Sequence, residues 1–172
     1  LDFNGEIQIS VLVTDGEYLD STSFNIFVIG LNDSPVLGVN ENQIMNEDST
    51  LEITISASDI DQDPLNFTGY LEDDSNASIS VDENILTINP YENWYGELVI
   101  NITVSDPYGL EDSQSFIVDV LPVNDIPVFS SEPIAIAIED VQYQYQLEID
   151  DPDSDQFYYY FLMSPEDMEL SG

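Results

Sequence analysis

The stretch Asp59-Ile60-Asp61-Gln62-Asp63-Pro64 decides how this sequence is interpreted, because it returns 92 residues later as Asp151-Pro152-Asp153-Ser154-Asp155. The three aspartates keep their spacing in both copies. Each copy follows a run in which apolar and polar residues alternate, and such alternation predicts a β-strand. The sequence therefore contains a repeat in which a DxDxD motif follows a strand.

The three carboxylates of each motif come directly after a strand end, where converging oxygens suit a hard cation such as Ca²⁺. A single DxDxD motif is also common as a solvated turn, because Asp is a frequent turn residue. Recurrence at a fixed period favours the metal site over the solvated turn. We therefore expect calcium as the cofactor.

The charge of the chain excludes several classes of function. It has 36 Asp plus Glu and no Lys, Arg or His, which gives a formal net charge of −36 over 172 residues. A surface without cations repels phosphate backbones and anionic headgroups, so neither nucleic acid nor a membrane is an expected partner. Because His and Cys are both absent, the chain has no nucleophile paired with a histidine and no zinc site made of the usual ligands. We therefore expect that the protein is not an enzyme.

The acidic excess has a second interpretation, which is adaptation to high salt through hydrated acidic faces. Aspartates that recur at the repeat period are better candidates for metal ligands. Scattered residues such as Glu72, Asp73, Asp74 and Asp82 are expected to form a solvated face.

The pattern of strands predicts an all-β fold. Residues 1–31 hold two alternating runs, and residues 35–126 hold seven more strand candidates. Those seven lie near 43–45, from 51 to 57, and at 65–70, 78–81, 85–88, 98–104 and 115–121. Alternation indicates sheets with one buried face. Seven short strands without helical periodicity predict a Greek-key, Ig-like β-sandwich.

The repeat boundaries divide the chain into three segments. Leu31-Asn32-Asp33-Ser34-Pro35-Val36 returns as Val123-Asn124-Asp125-Ile126-Pro127-Val128, and Glu47-Asp48 returns as Glu139-Asp140. Residues 1–34 are then the C-terminal part of one repeat, 35–126 a complete repeat, and 127–172 the N-terminal part of the next. Upstream, Asp15 matches Asp106, with one residue fewer in the loop that follows.

Two interpretations account for the partial repeats. The chain is either a window of a longer tandem array, or a subunit whose C-terminal part completes the N-terminal part of the next copy in a polymer. The second arrangement would lack the equivalent of residues 73–90.

With these motifs in order, the sequence resembles the cadherin-like tandem repeats of bacterial and archaeal surface proteins. The resemblance depends on the Asn-Asp boundary, Glu-Asp before the second strand, DxDxD after it, the corner Pro90-Tyr91-Glu92-Asn93-Trp94-Tyr95-Gly96, and Val104-Ser105-Asp106. Trp94 in that corner is expected to pack against the core.

The resemblance implies a calcium-rigidified stalk in an extracellular adhesin or surface fibre. Its partners would be neighbouring repeats of the same chain or like chains in a fibre, and cell-surface glycans or proteins. The alternative is a carbohydrate- or partner-binding module, in which the aromatic cluster at 157–161 stacks on sugars.

Carried over residue by residue, the resemblance implies two sets of calcium ligands. The first set is Asn32, Asp33, Asp59, Asp61, Asp63 and Asp106, and the second is Asn124, Asp125, Asp151, Asp153 and Asp155. Glu47 resembles the cadherin glutamate that reaches the next repeat boundary, and Glu92 is a weaker candidate for the same role. The cadherin Leu-Asp-Arg-Glu motif is absent, so the number of ions stays open.

Strand order supports the first grouping independently. Greek-key topology places two loops at the end of the sandwich where the chain enters. They are the loop 59–63 and the loop that begins at Asp106. The side chains of the first set are therefore expected to converge there. The loop with Glu47 is expected at the opposite end, toward Asn124.

Overall fold

The computed structural model describes residues 3–153, 156–160 and 162. These residues form strands and no helix, so none of them belongs to a helix long and apolar enough to cross a membrane. The strands are β1 (Gly5–Thr14), β2 (Leu19–Val28), β3 (Val36–Leu37), β4 (Gln43–Asn46), β5 (Leu51–Thr54), β6 (Ala57–Ser58), β7 (Asn66–Leu71), β8 (Ala77–Asp82), β9 (Ile85–Pro90), β10 (Gly96–Ser105), β11 (Glu111–Leu121), β12 (Val128–Phe129) and β13 (Ile149–Asp150). The chain divides into two compact units, Leu1–Leu121 and Pro122–Gly172.

The first unit contains the expected β-sandwich. One sheet has the order β4-β11-β10-β7, the other has the order β5-β9-β8, and β3 pairs with β6. All neighbours are antiparallel except β4, which joins β11 in parallel. Each of the seven predicted segments contains β-strand, so the all-β prediction is confirmed.

The strand predicted from 51 to 57 is two elements, and this part of the prediction was wrong. β5 pairs with β9, whereas β6 pairs with β3. Between them the Ile55 N–H donates to the Asn84 carbonyl oxygen at 2.8 Å, and the Ser56 carbonyl oxygen accepts from the Gly38 N–H at 2.7 Å. The backbone thus changes partners at Ile55 and Ser56, which an alternating pattern cannot reveal.

The core lies between the two sheets of the sandwich. Its buried apolar side chains are Leu37, Met45, Ile55, Ala77, Leu86, Ile88, Leu98, Ile100, Ile102, Val104, Phe116, Val118 and Val120. Alternation along β10 brings four of these side chains to one face. Because burying one such side chain contributes roughly 1.5–3 kcal/mol, this set is what holds the sandwich together.

The corner before β10 closes one side of this core. Trp94 is partly buried against it, as expected. Gly96 has a φ of 141°, and a Cβ added there would lie 3.1 Å from Cζ2 of Trp94. Asp48 accepts a hydrogen bond from the Asn93 N–H at 3.0 Å, so the aspartate of the recurring Glu-Asp pair helps to position this corner.

β1 and β2 form a separate two-stranded ribbon with the geometry of β10 and β11. Gly5 pairs with Val28 as Gly96 pairs with Val120, and the two ribbons differ by one residue in the turn. The predicted strand pair is therefore confirmed. In contrast to β10, however, β1 is exposed along almost its whole length.

The second unit has the same local pairing as the start of the sandwich. Val128 pairs with Asp150 and Phe129 with Ile149, in the register of β3 and β6. The alternating run before the second DxDxD motif, from Tyr143 to Ile149, matches residues 51–57 and so predicts a longer strand, but only β13 forms. The rest of the strand does not form because it lacks a pairing partner. In the complete repeat β5 pairs with β9, and the described part of the second unit contains no counterpart of β9.

Substitution of Gly96 should test the corner. Gly96→Ala is expected to lower the free energy of unfolding by about 1–3 kcal/mol, because a positive φ and a clash with the Trp94 ring act together. Gly109→Ala is the control, since Gly109 has a φ of 89° but open space around its Cβ position. Trp94 is the only tryptophan of the chain, so its fluorescence during urea unfolding reports on this sandwich. Equal losses for the two variants would contradict the proposed packing.

Candidate metal centre

Hydrogen bonds connect the segment Asn32-Asp33, which leads into the sandwich, to two of the sandwich's loops. The Asn32 side-chain amide donates to Asp106 Oδ2 at 2.6 Å and to the Asp33 carbonyl oxygen at 3.3 Å. The Asp33 N–H donates to Asp61 Oδ2 at 2.8 Å. The expected convergence of the boundary, the DxDxD loop and the Asp106 loop is therefore present in the structure.

The DxDxD loop is folded around the Asp59 carboxylate. Asp59 Oδ1 accepts from the Asp61 N–H at 2.8 Å, and the Asp59 carbonyl oxygen accepts from the Gln62 N–H at 3.3 Å. Gln62 has a φ of 64°, which turns the chain back on itself. As a result, one carboxylate oxygen from each of Asp59, Asp61 and Asp63 lies within 4.8 Å of the others.

One oxygen of this group has no hydrogen-bond donor. Asp59 Oδ2 is buried and accepts no hydrogen bond, although buried carboxylate oxygens are normally satisfied. A hard cation would satisfy it, because Ca²⁺ takes several carboxylate and carbonyl oxygens at once. Asp59 also lines a groove of about 480 Å³, together with Asp33, Ser34, Val36, Ser58 and Ile60. The residues present therefore fit a calcium ion.

The pKa of Asp63 also reflects the crowding. Burial raises the pKa of this carboxyl, and the negative charges of Asp59, Asp61 and Asp106 raise it further. A raised carboxyl pKa means that the folded state prefers the protonated form. The contribution to stability is present at low pH and is lost as the pH rises through the folded pKa. Ionised Asp63 therefore opposes folding at neutral pH unless a cation is nearby.

Asp106 has a structural role beside its predicted role as a ligand. The side chain is buried, and Oδ1 accepts from the Tyr108 N–H at 2.8 Å and the Leu110 N–H at 2.9 Å. Burial alone raises the pKa of Asp106, but hydrogen bonds from Asn32 and from the turn backbone outweigh it and lower the pKa. Asp15 forms the same kind of turn, with Oδ1 accepting from Glu17 and Tyr18.

Glu47 lies at the end of the sandwich where the chain leaves. Its side chain is buried, and its N–H donates to the carbonyl oxygen of Leu121, the last residue of β11, at 2.9 Å. This position agrees with the expected opposite end. Sequence reasoning did not single out Asp112, whose Oδ2 accepts from the Leu37 N–H at 2.8 Å, because nothing in the pattern distinguishes it from a solvated aspartate.

The second predicted set repeats three of the hydrogen bonds of the first. The Asn124 amide donates to the Asp125 carbonyl oxygen at 2.6 Å, and the Asp125 N–H donates to Asp153 Oδ2. The Asp153 N–H donates to Asp151 Oδ1 at 2.9 Å, as in the Asp59 loop. Asp155 lies outside the described residues. The four described members therefore meet within the second unit.

Comparison with known proteins identifies the sandwich. A family model described as "Bacterial Ig domain" matches residues 32–119. No curated protein is similar enough in sequence to match.

Several solved structures are similar to parts of this chain. Extracellular cadherin domains 1–5 of protocadherin gamma B2 are 18% identical over 87% of this chain and 32% of that chain, with a TM-score of 0.52. Human mucin-like protocadherin EC1-2 is 18% identical over 69% of each chain, with a TM-score of 0.49. A nucleoside hydrolase-related hypothetical protein from Saccharophagus degradans is 22% identical over 54% of this chain, at a TM-score of 0.47, and the match spans 26% of that longer chain. The predicted likeness to cadherin-like repeats is confirmed at the level of the fold.

Neutralising Asp63 should have opposite effects with and without calcium. Asp63→Asn is expected to raise the melting temperature by a few degrees in a chelator at pH 7, since a disfavoured charge is removed. The same change should weaken calcium binding, because one oxygen ligand loses its charge. Thermal unfolding in chelator and in calcium measures both effects, and Asp74→Asn on the exposed face is the control. A lower melting temperature for Asp63→Asn in chelator would contradict the interpretation.

Proposed function

The chain belongs to the bacterial Ig domain family, and from this we propose that it is a structural repeat whose boundaries are stiffened by Ca²⁺. In this proposal residues 35–126 form one complete repeat, residues 1–34 the end of the repeat before it, and residues 127–172 the start of the next. The equal pairing registers of the two ribbons, and of the β3–β6 and β12–β13 pairs, support this division.

The observation that carries the calcium hypothesis is the unsatisfied, buried Asp59 Oδ2 beside two further carboxylates. Asp59, Asp61 and Asp63 would supply charged oxygens. Asp33 and Asp106 would add oxygens from the boundary and from the turn after β10. Asn32 would act mainly by holding Asp106, to which its amide already donates. Bound calcium would supply positive charge and link the boundary to the loops.

The same reasoning assigns the second set as calcium ligands. It also assigns Glu47 as a ligand, with Glu92 as a weaker candidate. Asn124, Asp125, Asp151 and Asp153 repeat the boundary geometry, and Asp155 is included from the sequence alone. Each set would hold calcium where one repeat follows another.

The size of the repulsion indicates that calcium is required to keep the repeat boundary closed, although not to fold the sandwich. Two carboxylates about 5 Å apart repel by about 3 kcal/mol at an effective dielectric constant of about 20. Three such pairs approach the whole stability of a domain, which is about 5–15 kcal/mol. The chain has no Lys, Arg or His to offset this repulsion. Affinity in the range of extracellular modules, about 10⁻⁴ to 10⁻³ M, would suffice.

A stiff repeat of this kind suits a stalk in an extracellular adhesin or surface fibre. Calcium at the proposed affinity is available outside cells, and the acidic surface disfavours nucleic acid and anionic lipid as partners. No enzymatic role is proposed, because the described part of the chain offers carboxylates without a cationic or imidazole partner. The partners we propose are neighbouring repeats of the same kind.

A carbohydrate-binding role is less well supported. Aromatic residues do line a cavity of about 730 Å³ in the second unit, among them Phe129, Tyr158 and Tyr159. Phe129, however, occupies the repeat position of the buried Leu37, and Tyr159 that of the partly buried Phe67. The cavity is therefore better explained as half of a sandwich core than as a sugar subsite.

Calcium titration with small-angle scattering tests the proposed function. Calcium is expected to bind and to increase the radius of gyration relative to chelator, while circular dichroism of the strands stays unchanged. The double variant Asp59→Asn, Asp61→Asn should lose the ions of the first set by calorimetry. The matched control, Asp73→Asn with Asp74→Asn, removes the same charge from an exposed face and should bind normally. A scattering profile that does not respond to chelator would contradict the proposal.

A further inference from the structure

The chain contains four Asn-x-Ser/Thr triplets, the motif whose Asn amide accepts N-linked glycans in secreted proteins. They are Asn32-Asp33-Ser34, Asn66-Phe67-Thr68, Asn76-Ala77-Ser78 and Asn101-Ile102-Thr103. All four lie in described residues, and the fold puts each in a different environment. Because such triplets also arise by chance in a chain rich in Asn, Ser and Thr, the environment of each Asn decides whether it serves as an acceptor.

The Asn32 amide is already in use. It donates to Asp106 Oδ2 at 2.6 Å and to the Asp33 carbonyl oxygen at 3.3 Å. An N-linked glycan replaces one of the two amide hydrogens, so a modified Asn32 would lose one of these bonds. The glycan would also occupy the candidate metal centre. Asn32 is therefore excluded as an acceptor.

Asn101 lies on a central strand. It pairs with Tyr70 on β7 and with Ser115 on β11, and its side chain is partly buried. The middle residue of its triplet, Ile102, is fully buried in the core. An acceptor must leave the sheet to enter a transferase active site, and central core strands open only at a cost near the global free energy of unfolding. Asn101 is therefore a poor acceptor in the folded sandwich.

The triplet that begins at Asn76 is held at both its backbone and its centre. The Asn76 carbonyl oxygen accepts from the Tyr91 N–H at 2.9 Å, and the Asn76 side chain is partly buried. Ala77, the middle residue, is 1% exposed and belongs to the core. Freeing this triplet breaks the Tyr91 bond and pulls Ala77 out of the core, so Asn76 is also disfavoured.

Asn66 is in the most accessible position of the four. It is the first residue of β7, an edge strand that pairs only with β10 among the described residues. The Asn66 and Thr68 side chains are both exposed, and they lie on the same face because strand residues two apart point the same way. Opening the end of an edge strand costs far less free energy than opening a central strand. Thus Asn66 and its Thr68 hydroxyl can reach an enzyme together.

We propose that Asn66 is an N-glycosylation site. The donor is a lipid diphosphate-linked oligosaccharide, and Nδ2 of Asn66 displaces the diphosphate from C1 of the first sugar. The Nδ2–C1 bond forms, the C1–O bond to phosphate breaks, and the amide gives one proton to a base of the transferase. Because N-glycosylation belongs to exported proteins, this inference rests on the extracellular location in the proposed function, but not on calcium.

The sheet face beside Asn66 suits a glycan. Two neighbouring cross-strand rows of this face contain no charged residue, namely Thr68-Thr103-Ser113 and Tyr70-Asn101-Ser115. The Thr103 and Ser113 hydroxyl oxygens lie 2.8 Å apart, and Tyr70 is 60% exposed on the same strand as Asn66. Sugar hydroxyls can exchange hydrogen bonds with these groups without desolvating a carboxylate, which would be costly. The rows therefore provide an uncharged surface for the first sugars.

Glycopeptide mass spectrometry of the protein purified from the cells that make it tests the site. The chain has no Lys or Arg for trypsin, but cleavage after Glu puts the four triplets on four separate peptides, 18–41, 53–72, 73–83 and 98–111. Peptide 53–72 is expected to carry the glycan, and the other three are expected unmodified. An unmodified peptide 53–72, or higher occupancy at another triplet, would overturn the proposal.

A purified oligosaccharyltransferase with its lipid-linked donor tests the structural reason. The folded chain should be modified at Asn66 at least about tenfold faster than at Asn101, once each rate is divided by that of the free peptide, because only the end of an edge strand opens readily. Thr68→Ser should keep this modification, whereas Thr68→Ala and Asn66→Gln should abolish it while circular dichroism stays unchanged. Equal normalised rates at Asn66 and Asn101 would contradict the proposed selection.

This inference and the proposed function fail in different ways. If the protein is recovered from the cell surface with Asn66 unmodified, glycosylation is overturned and the calcium-stiffened stalk stands. If Asn66 carries a glycan while calorimetry finds no calcium bound, the calcium part of the proposed function fails and the glycosylation site stands.

Discussion

Repulsion among carboxylates that the chain cannot neutralise by itself is the constraint behind this structure. With 36 acidic residues and no basic residue, every carboxylate must be hydrated, accept hydrogen bonds from the protein or meet a cation from outside. Most of those in the described residues are exposed, and several accept backbone N–H groups, as Asp106, Asp48 and Asp112 do. The group at Asp59, Asp61 and Asp63 differs, because its oxygens face one another and one of them is buried without a donor.

The same hydrogen bonds that crowd these carboxylates also fix the repeat boundary. The Asp33 N–H holds Asp61, and the Asn32 amide holds Asp106. The boundary, the DxDxD loop and the turn after β10 therefore meet at one point through hydrogen bonds within the chain. A cation at that point would exchange mutual repulsion for attraction, so calcium would act on the connection between repeats and leave the apolar core of the sandwich unchanged.

The sequence predicted most of this, because both period and alternation are properties of the sequence. The inner residues of β10, from Leu98 to Val104, are buried as their spacing indicated. The convergence at Asn32 followed from strand order. What could not be predicted depends on tertiary partners. The break between β5 and β6 arises where Ile55 and Ser56 bond to separate segments. The absence of strand at 143–148 reflects the lack of a pairing neighbour in the described part of that unit. The turn-forming role of Asp106 appears only in its hydrogen bonds.

Diffraction from crystals grown with calcium tests the central claim most directly. An anomalous signal is expected at the first boundary, with an ion about 2.3–2.6 Å from Asp59 Oδ2 and from oxygens of Asp61 and Asp63. A map that shows water at this position, with Asp59 Oδ2 hydrogen-bonded to that water and the three carboxylates turned apart, would contradict the calcium hypothesis.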